Sequence, residues 1–214
     1  MPARRFVAVD YHLERLLEVG PDSDQLDRWV VTLTGLHADE DDDVDEPVRE
    51  PIARAELFGF DPDRHRLLGW DPFDVADAYS ADAAAYYEQL FGPDGLALDD
   101  LREAFEVPVN RALIVHDVQV LPAERRRGHG ALLVADALLT LAGADTAVLA
   151  HPAPTDPGVV DADDTVRLRH ETANTRFLGA LGFTPFRDRL WMLDLALQPS
   201  IDALAVRRAV GGPG

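Results

Sequence analysis

Residues 112–142 place a strand, a basic glycine loop and a helix directly after one another, and this order limits the folds open to the chain. Residues 112–120 are mostly apolar, with β-branched side chains and no interior glycine or proline, which is typical of a strand. Pro122 lacks the amide hydrogen that a sheet ladder needs, so it ends that strand. Residues 131–142 form an apolar run that predicts a helix. A strand joined to a helix by a short loop indicates an α/β fold.

The loop between these two elements has the composition of an anion site. Arg125, Arg126 and Arg127 precede Gly128 and Gly130. Glycine has no Cβ, so backbone N–H groups can approach an anion closely. The start of the following helix adds unpaired N–H donors and a positive dipole end. The pattern predicts a phosphate-binding loop, with a plain glycine turn and solvated arginines as the alternative interpretation.

The same residues carry a resemblance to a known family. Residues 125–130, Arg-x-x-Gly-x-Gly, resemble the pyrophosphate loop of the GNAT superfamily of N-acetyltransferases, which reads [Gln/Arg]-x-x-Gly-x-[Gly/Ala]. Residues 118–122, Val-x-Val-x-Pro, are similar to the strand that leads into that loop. Residues 177–183, Phe-Leu-Gly-Ala-Leu-Gly-Phe, resemble the second motif of the family, a helix that ends in Leu-Gly-Phe.

This resemblance implies a fold and an activity. The fold is α/β, with a mixed, mostly antiparallel central sheet and helices on both faces. Residues 112–120 form the central strand, residues 146–150 run parallel to it, and the cofactor enters where the two splay apart. The implied activity is transfer of an acetyl group from acetyl-CoA to an amine of a small molecule, peptide or protein. A non-catalytic CoA-binding or interaction protein on the same scaffold is the alternative.

The resemblance also implies which residues hold acetyl-CoA, the expected co-substrate. The N–H groups of residues 126–131 bind the pyrophosphate, and the backbone of Val118 and Val120 pairs with the pantetheine arm. The expected cofactor-binding residues are Val118, Gln119, Val120, Arg125, Arg126, Arg127, Gly128, His129, Gly130, Ala131, Asn174 and Phe177. Asn174 either hydrogen-bonds the cofactor or faces water.

Candidates for the base that deprotonates the amine lie on or near the central strand. They are His116, Asp117, Glu56 on the preceding strand and His151 after the next strand. Histidine can act as a base near neutral pH. In a regular strand His116 and Asp117 would face opposite ways. Each of these residues also has a purely structural interpretation as a hydrogen-bonded or exposed strand residue.

The sequence departs from the family at the residue that would protonate the leaving thiolate. Many members carry Tyr five residues before the Phe of Leu-Gly-Phe, and here that residue is Leu178. Leucine cannot donate a proton, so water or a residue of another segment has to replace the tyrosine. This departure keeps the non-catalytic alternative open.

The rest of the chain predicts one domain, residues 1–198, followed by a mobile tail, residues 199–214. Residues 61–110 are mostly helical in pattern and form an insertion before the central strand, with Tyr86 among its apolar contacts. The insertion serves as a packing element or lid, lines the acceptor pocket, or contacts a second copy. Residues 11–19 predict a helix, because their leucines share one helical face.

Composition excludes several classes of partner and chemistry. The chain has 39 acidic and 20 basic residues, a net charge of −19, so it repels nucleic acid and anionic membranes. It has no cysteine, which excludes disulfides and thiolate chemistry, and its histidines lack a zinc spacing, so no metal is expected. It contains neither a membrane-length apolar run nor an apolar signal core, which favours a cytoplasmic protein. The expected partners are acetyl-CoA and an amine, and the resemblance allows a homodimer.

Overall fold

The computed structural model describes residues 6–14, 26–37, 48–152, 159, 163–187 and 189–210. Within these ranges seven strands form one open sheet in the order β1-β2-β3-β4-β5-β7-β6. The strands are β1 (Phe6–Glu14), β2 (Asp27–His37), β3 (Val48–Phe60), β4 (Arg111–Val120), β5 (Thr146–Ala150), β6 (Thr184–Pro185) and β7 (Trp191–Leu193). Strands β4 and β5 run parallel, and the other neighbours are antiparallel. The predicted mixed, mostly antiparallel sheet is therefore confirmed.

Helices connect and cover these strands in the described ranges. They are α1 (Pro62–Leu67), α2 (Pro72–Tyr79), α3 (Ala81–Leu90), α4 (Asp99–Ala104), α5 (His129–Leu141), α6 (Asp164–Ala180) and α7 (Gln198–Val210). Helices α1 to α4 lie between β3 and β4, in the segment where the sequence predicts a helical insertion. Capping side chains start three of the four: Asp61, Asp71 and Ser80 accept hydrogen bonds from backbone N–H groups of the first turn.

The sheet is buried on both faces because neighbouring residues of β4 point to opposite sides. Leu113 and Val115 pack in a core with β2, β3 and α5, whereas Ala112 and Ile114 pack in a second core with the insertion helices. The first core includes Val31, Leu33, Leu57, Leu133, Leu138 and Leu178, and the second includes Phe58, Phe60, Tyr87, Leu90 and Leu101. Helices therefore cover both faces of the sheet.

The pairing of β3 with β4 contains one extra residue. Glu56 pairs with Asp117 and Leu57 pairs with Val115, so His116 has no partner position on β3. Such a β-bulge gives two residues of one strand the place of one residue in its neighbour. Because of the bulge, Val118 rather than Asp117 returns to the face that packs against α5.

The structure differs from the sequence prediction at both ends of the chain. Residues 11–14 continue β1, since Leu13 pairs with Trp29, and residues 15–19 lie outside the described ranges. Residues 199–210, predicted as part of a mobile tail, belong to α7, in which Leu204 is fully buried. Arg207 Nε donates to the carbonyl of Ala180 at 3.0 Å. The last four residues lie outside the described ranges.

Asp136 joins β1, α5 and α7, and its replacement by alanine is expected to destabilise the protein. Its carboxylate accepts a hydrogen bond from the Tyr11 hydroxyl and lies 2.6 Å from Arg208 Nε. The side chain is 11% exposed. Hydrogen bonds to charged groups contribute about 1.5–3 kcal/mol, so we expect Asp136→Ala to lower the free energy of unfolding by about that amount in urea titrations. Asp77→Asn, an exposed change on α2, is the control; an equal effect of both substitutions would contradict the assignment.

Candidate functional site

Strands β4 and β5 diverge halfway along β4. The parallel pairing runs from Arg111 and Thr146 to Val115 and Ala150, and β4 continues to Val120. Beyond Val115, no strand in the described ranges pairs with β4 on the side away from β3. A cavity of about 820 Å³ opens there, and we call it the cleft. Its walls come from β3, β4, the loop that precedes α5, the end of β5, and α6.

The edge of β4 in the cleft carries unpaired backbone groups. The N–H of Leu121 donates to the carbonyl of Ile52 on β3 at 3.0 Å. Because successive residues of a strand direct their backbone groups to opposite sides, those of Val118 and Val120 point away from β3, into the cleft. Arg125 Nε donates to the Val120 carbonyl at 3.0 Å, which agrees with this direction. An extended ligand can therefore pair with the remaining groups as an additional strand would.

The loop before α5 contains two residues in the left-handed backbone region, Arg126 with φ 63° and Gly128 with φ 85°. Gly128 is the N-cap of α5, and no side chain caps the helix start. The first N–H groups of a helix lack intrahelical partners, and the helix dipole is positive there, so this end of α5 favours an anion. Arg125 and Arg126 line the cleft. In the described part of the chain Arg126 has no ion pair, so its guanidinium is available to a ligand.

Arg127 and His129 have a different partner. Arg127 Nη1 lies 3.3 Å and His129 Nδ1 lies 3.4 Å from Glu124 Oε2.

Among the cleft-lining residues are eight of the predicted cofactor-binding set: Val118, Gln119, Val120, Arg125, Arg126, Gly130, Asn174 and Phe177. The other four, Arg127, Gly128, His129 and Ala131, belong to the same loop and first helical turn but do not line the cleft.

Gly130 allows α5 to approach β4 closely. A Cβ at this position would lie 3.2 Å from Val120 Cγ2 and 3.5 Å from Phe177 Cε2. The role seen in the structure is therefore packing of the first helical turn between β4 and α6, in addition to any role in anion binding. Asn174 has a structural contact as well, because its Nδ2 donates to the Pro152 carbonyl at 2.9 Å and ties α6 to the segment after β5.

His116 and Asp117 share one face of β4, contrary to the expectation from a regular strand. The bulge places Asp117 opposite Glu56, on the face that carries Phe58. The His116 ring stacks on Phe58, with 4.6 Å between ring centroids and 26° between planes. Both His116 and Asp117 line the cleft. A β-bulge is defined by the pairing of two strands, so the sequence of β4 alone does not predict it.

Glu56 is paired with two arginines and does not line the cleft. Its carboxylate lies 2.6 Å from Arg28 Nε and 3.6 Å from Arg54 Nη2. Burial alone would raise the pKa of Glu56, but the hydrogen bond and charge of Arg28, with Arg54 and His116, lower it below its ordinary value. A carboxylate held in the ionised form is a weak base, so the geometry favours a structural role for Glu56.

Glu56→Gln is expected to reduce stability by about 1.5 kcal/mol at pH 7, because Arg28 loses a charged partner. A lowered pKa in the folded state contributes stability above the unfolded value of about 4.3, and this contribution is lost as the pH falls through the folded value. The difference between the two proteins in urea unfolding should therefore shrink between pH 6 and pH 3. A difference that stays constant over this range would contradict the ion pair.

Two histidines follow the last paired residues of the two parallel strands. His116 comes directly after Val115 and His151 directly after Ala150, and both line the cleft. Burial lowers the pKa of His151, and the positive charge of nearby Arg189 lowers it further. His151 is therefore neutral at neutral pH. The cleft thus has the arginine- and glycine-containing loop at one end and two imidazoles at the other.

Two further residues near His116 were not recognised as site residues in the sequence. The hydroxyl of Tyr86 lies 3.4 Å from His116 Nδ1, and Asp82 Oδ2 lies 4.0 Å from His116 Nε2. Both belong to α3, in the insertion. The hydropathy pattern marks Tyr86 as an apolar contact and gives no indication of where its hydroxyl points.

Comparison of the chain with models of protein families, with curated proteins and with solved structures gave no match. Among the described residues, His, Asp and Glu side chains form no group of three suited to a metal ion. None of the helices in those ranges has the length and apolar character needed to cross a membrane. The interpretation of the cleft therefore depends on its own geometry.

Proposed function

We propose that the protein is an N-acetyltransferase of the GNAT type, which transfers an acetyl group from acetyl-CoA to a primary amine. One observation carries this proposal: the unpaired edge of β4 leads from the loop before α5 to His116 and His151, where β4 and β5 part. A CoA thioester has the matching order of groups, with phosphates at one end, an amide-containing arm in the middle and the reactive thioester at the other end.

The residues of the cleft suit each part of this molecule. Arg125 and Arg126 supply charge for the phosphates, and the start of α5 supplies N–H donors and a positive dipole end. The open backbone groups of Val118 and Val120 supply partners for the amides of the pantetheine arm. Residues 116–120 span about 13 Å at roughly 3.3 Å per residue, so the arm can lie along β4 and bring the thioester to the histidines.

The reaction needs a base for the amine and a donor for the leaving sulfur. His116 fits the first role, since an imidazole accepts protons near neutral pH and this one borders the cleft. Leu178, at the position of the usual tyrosine, is 4% exposed and packs in the core, so it cannot fill the second role. A histidine that has taken the amine proton can return it to the sulfur.

The non-catalytic alternative remains a second candidate because of Leu178. The transferase and the CoA-binding protein both require CoA binding, which titration calorimetry with CoA and with acetyl-CoA measures. Release of free CoA thiol, followed with a thiol reagent over a panel of amines, separates them. Release with any amine above the hydrolysis rate supports the transferase. Tight binding without release favours the CoA-binding protein, and absence of binding rejects both.

A further inference from the structure

His116 is held from three sides by residues of β3 and of the insertion. Its ring stacks on Phe58, and the ring of Tyr86 meets it edge-on, with 6.0 Å between centroids and 80° between planes. The Tyr86 hydroxyl lies 3.4 Å from Nδ1, and Asp82 Oδ2 lies 4.0 Å from Nε2. Each ring nitrogen of His116 therefore lies near a polar group of α3, the Tyr86 hydroxyl beside Nδ1 and the Asp82 carboxylate beside Nε2.

We propose that α3 forms the acceptor side of the site: Tyr86 accepts the Nδ1 hydrogen of His116, and Asp82 binds the ammonium group of the amine beside Nε2. For Nε2 to take a proton, the neutral imidazole must carry its hydrogen on Nδ1, and a hydrogen bond from Nδ1 to the Tyr86 oxygen stabilises this tautomer. Tyr86 is the group within hydrogen-bond distance of Nδ1, which makes it a positioning residue. The Asp82 part of this inference rests on the proposed function.

The exposure of these groups fits their roles. The Asp82 side chain is 72% exposed, so an amine in solution can reach it, whereas the His116 side chain is 17% exposed. Burial and the charge of Asp82 raise the pKa of Tyr86 to about 12, so its hydroxyl stays protonated at any assay pH. The charges of Glu56 on β3 and His151 after β5 also interact with His116, and Asp117 follows it on β4. The acceptor class that this arrangement favours is a protonated primary amine.

The proton balance of the step is complete without a further reactant. The ammonium group loses one proton to solvent, and its nitrogen then bonds to the thioester carbonyl carbon as the carbon–sulfur bond breaks. One of the two remaining amine protons passes to His116 Nε2 and from there to the leaving sulfur, and the other stays on the amide nitrogen. The products are the amide and the CoA thiol, and His116 returns to its starting form. This route supplies the proton that Leu178 cannot donate.

The tautomer of His116 is directly measurable from the ¹⁵N shifts of its imidazole in the full chain at pH 8. We expect hydrogen on Nδ1 in the native protein and a shift toward hydrogen on Nε2 in Tyr86→Phe. Hydrogen on Nε2 in the native protein would overturn the positioning role, and so would a tautomer that Tyr86→Phe leaves unchanged. The native measurement decides the matter even if the variant does not fold. It requires neither CoA binding nor activity, so it is independent of the proposed function.

The acceptor role of Asp82 is tested with two probes that differ in charge, butylamine, which is protonated at pH 8, and hydroxylamine, which is neutral. We expect Asp82→Asn to raise the KM for butylamine about three- to fivefold, as for an exposed ion pair, with KM for hydroxylamine and Kd for CoA unchanged. Glu88→Gln, an exposed change on the same helix, is the matched control and should alter nothing. Equal effects on both probes, or none, would overturn the assignment. CoA binding without transfer to either probe would reject the Asp82 role together with the transferase, and leave the tautomer result standing.

Discussion

Replacing His116 with glutamine is expected to lower kcat for acetyl transfer by about 10²- to 10⁴-fold, the usual contribution of a general base. Glutamine retains a polar side chain near Tyr86 and Asp82 but cannot take up a proton at neutral pH. The affinity for CoA should not change, because the expected phosphate and arm contacts come from Arg125, Arg126 and the backbone of β4. Steady-state kinetics and calorimetric titration with CoA measure the two quantities separately.

His151→Gln is the matched control, because His151 is the corresponding residue after β5 and also borders the cleft. If His116 is the base, this change should reduce kcat much less than His116→Gln does. A large loss in His151→Gln with a small loss in His116→Gln would reverse the assignment. Near-parental activity of both variants would show that neither imidazole takes the proton.

Gly128→Val is expected to lower the affinity for CoA by about 10- to 150-fold, the equivalent of one charge-assisted hydrogen bond of roughly 1.5–3 kcal/mol. Gly128 has φ +85°, a region that β-branched residues strongly disfavour. Open space surrounds its Cβ position, so the backbone rather than a clash carries the effect. A changed φ would redirect the N–H groups at the start of α5, which the proposed function assigns to the phosphates. Calorimetric titration with CoA measures the loss.

Gly69→Val supplies a control for general strain. Gly69 has φ +77° and also has nothing within 4 Å of its Cβ position, but it lies after α1, in the insertion. Both variants should lose similar stability in thermal melts, and only Gly128→Val should lose affinity for CoA. If a folded Gly128→Val protein binds CoA as the parent does, the loop is not the phosphate site and the proposed function loses its main support.

The sequence predicted most of what depends on local pattern. The central strand, predicted at residues 112–120, is Arg111–Val120, and the helix predicted at 131–142 is His129–Leu141. The insertion lies where its caps and prolines indicate. Hydrophobic alternation and helix caps are read within one segment, so a single sequence contains enough information for them.

Features that depend on contacts between distant segments were not predicted. The bulge at His116 exists only relative to β3, so strand alternation put His116 and Asp117 on opposite faces when they share one. The sequence predicts a mobile tail at residues 199–214, although Leu204 packs in the core and Arg208 pairs with Asp136 on α5. Residues 11–14 fit a helical spacing, yet pairing with β2 makes them a strand. In each case a tertiary partner overrides the local signal.

The bulge adds His116 to β4 without changing which residues of the strand face each core. Without His116, Asp117 would still lie opposite Glu56, and Val115 and Val118 would still face α5, because the bulge adds one residue to an otherwise regular ladder. Neither core needs this residue for its alternation. A chain one residue shorter could therefore keep the same sheet and lose the imidazole, so His116 lengthens the strand by one residue and does not replace a core residue.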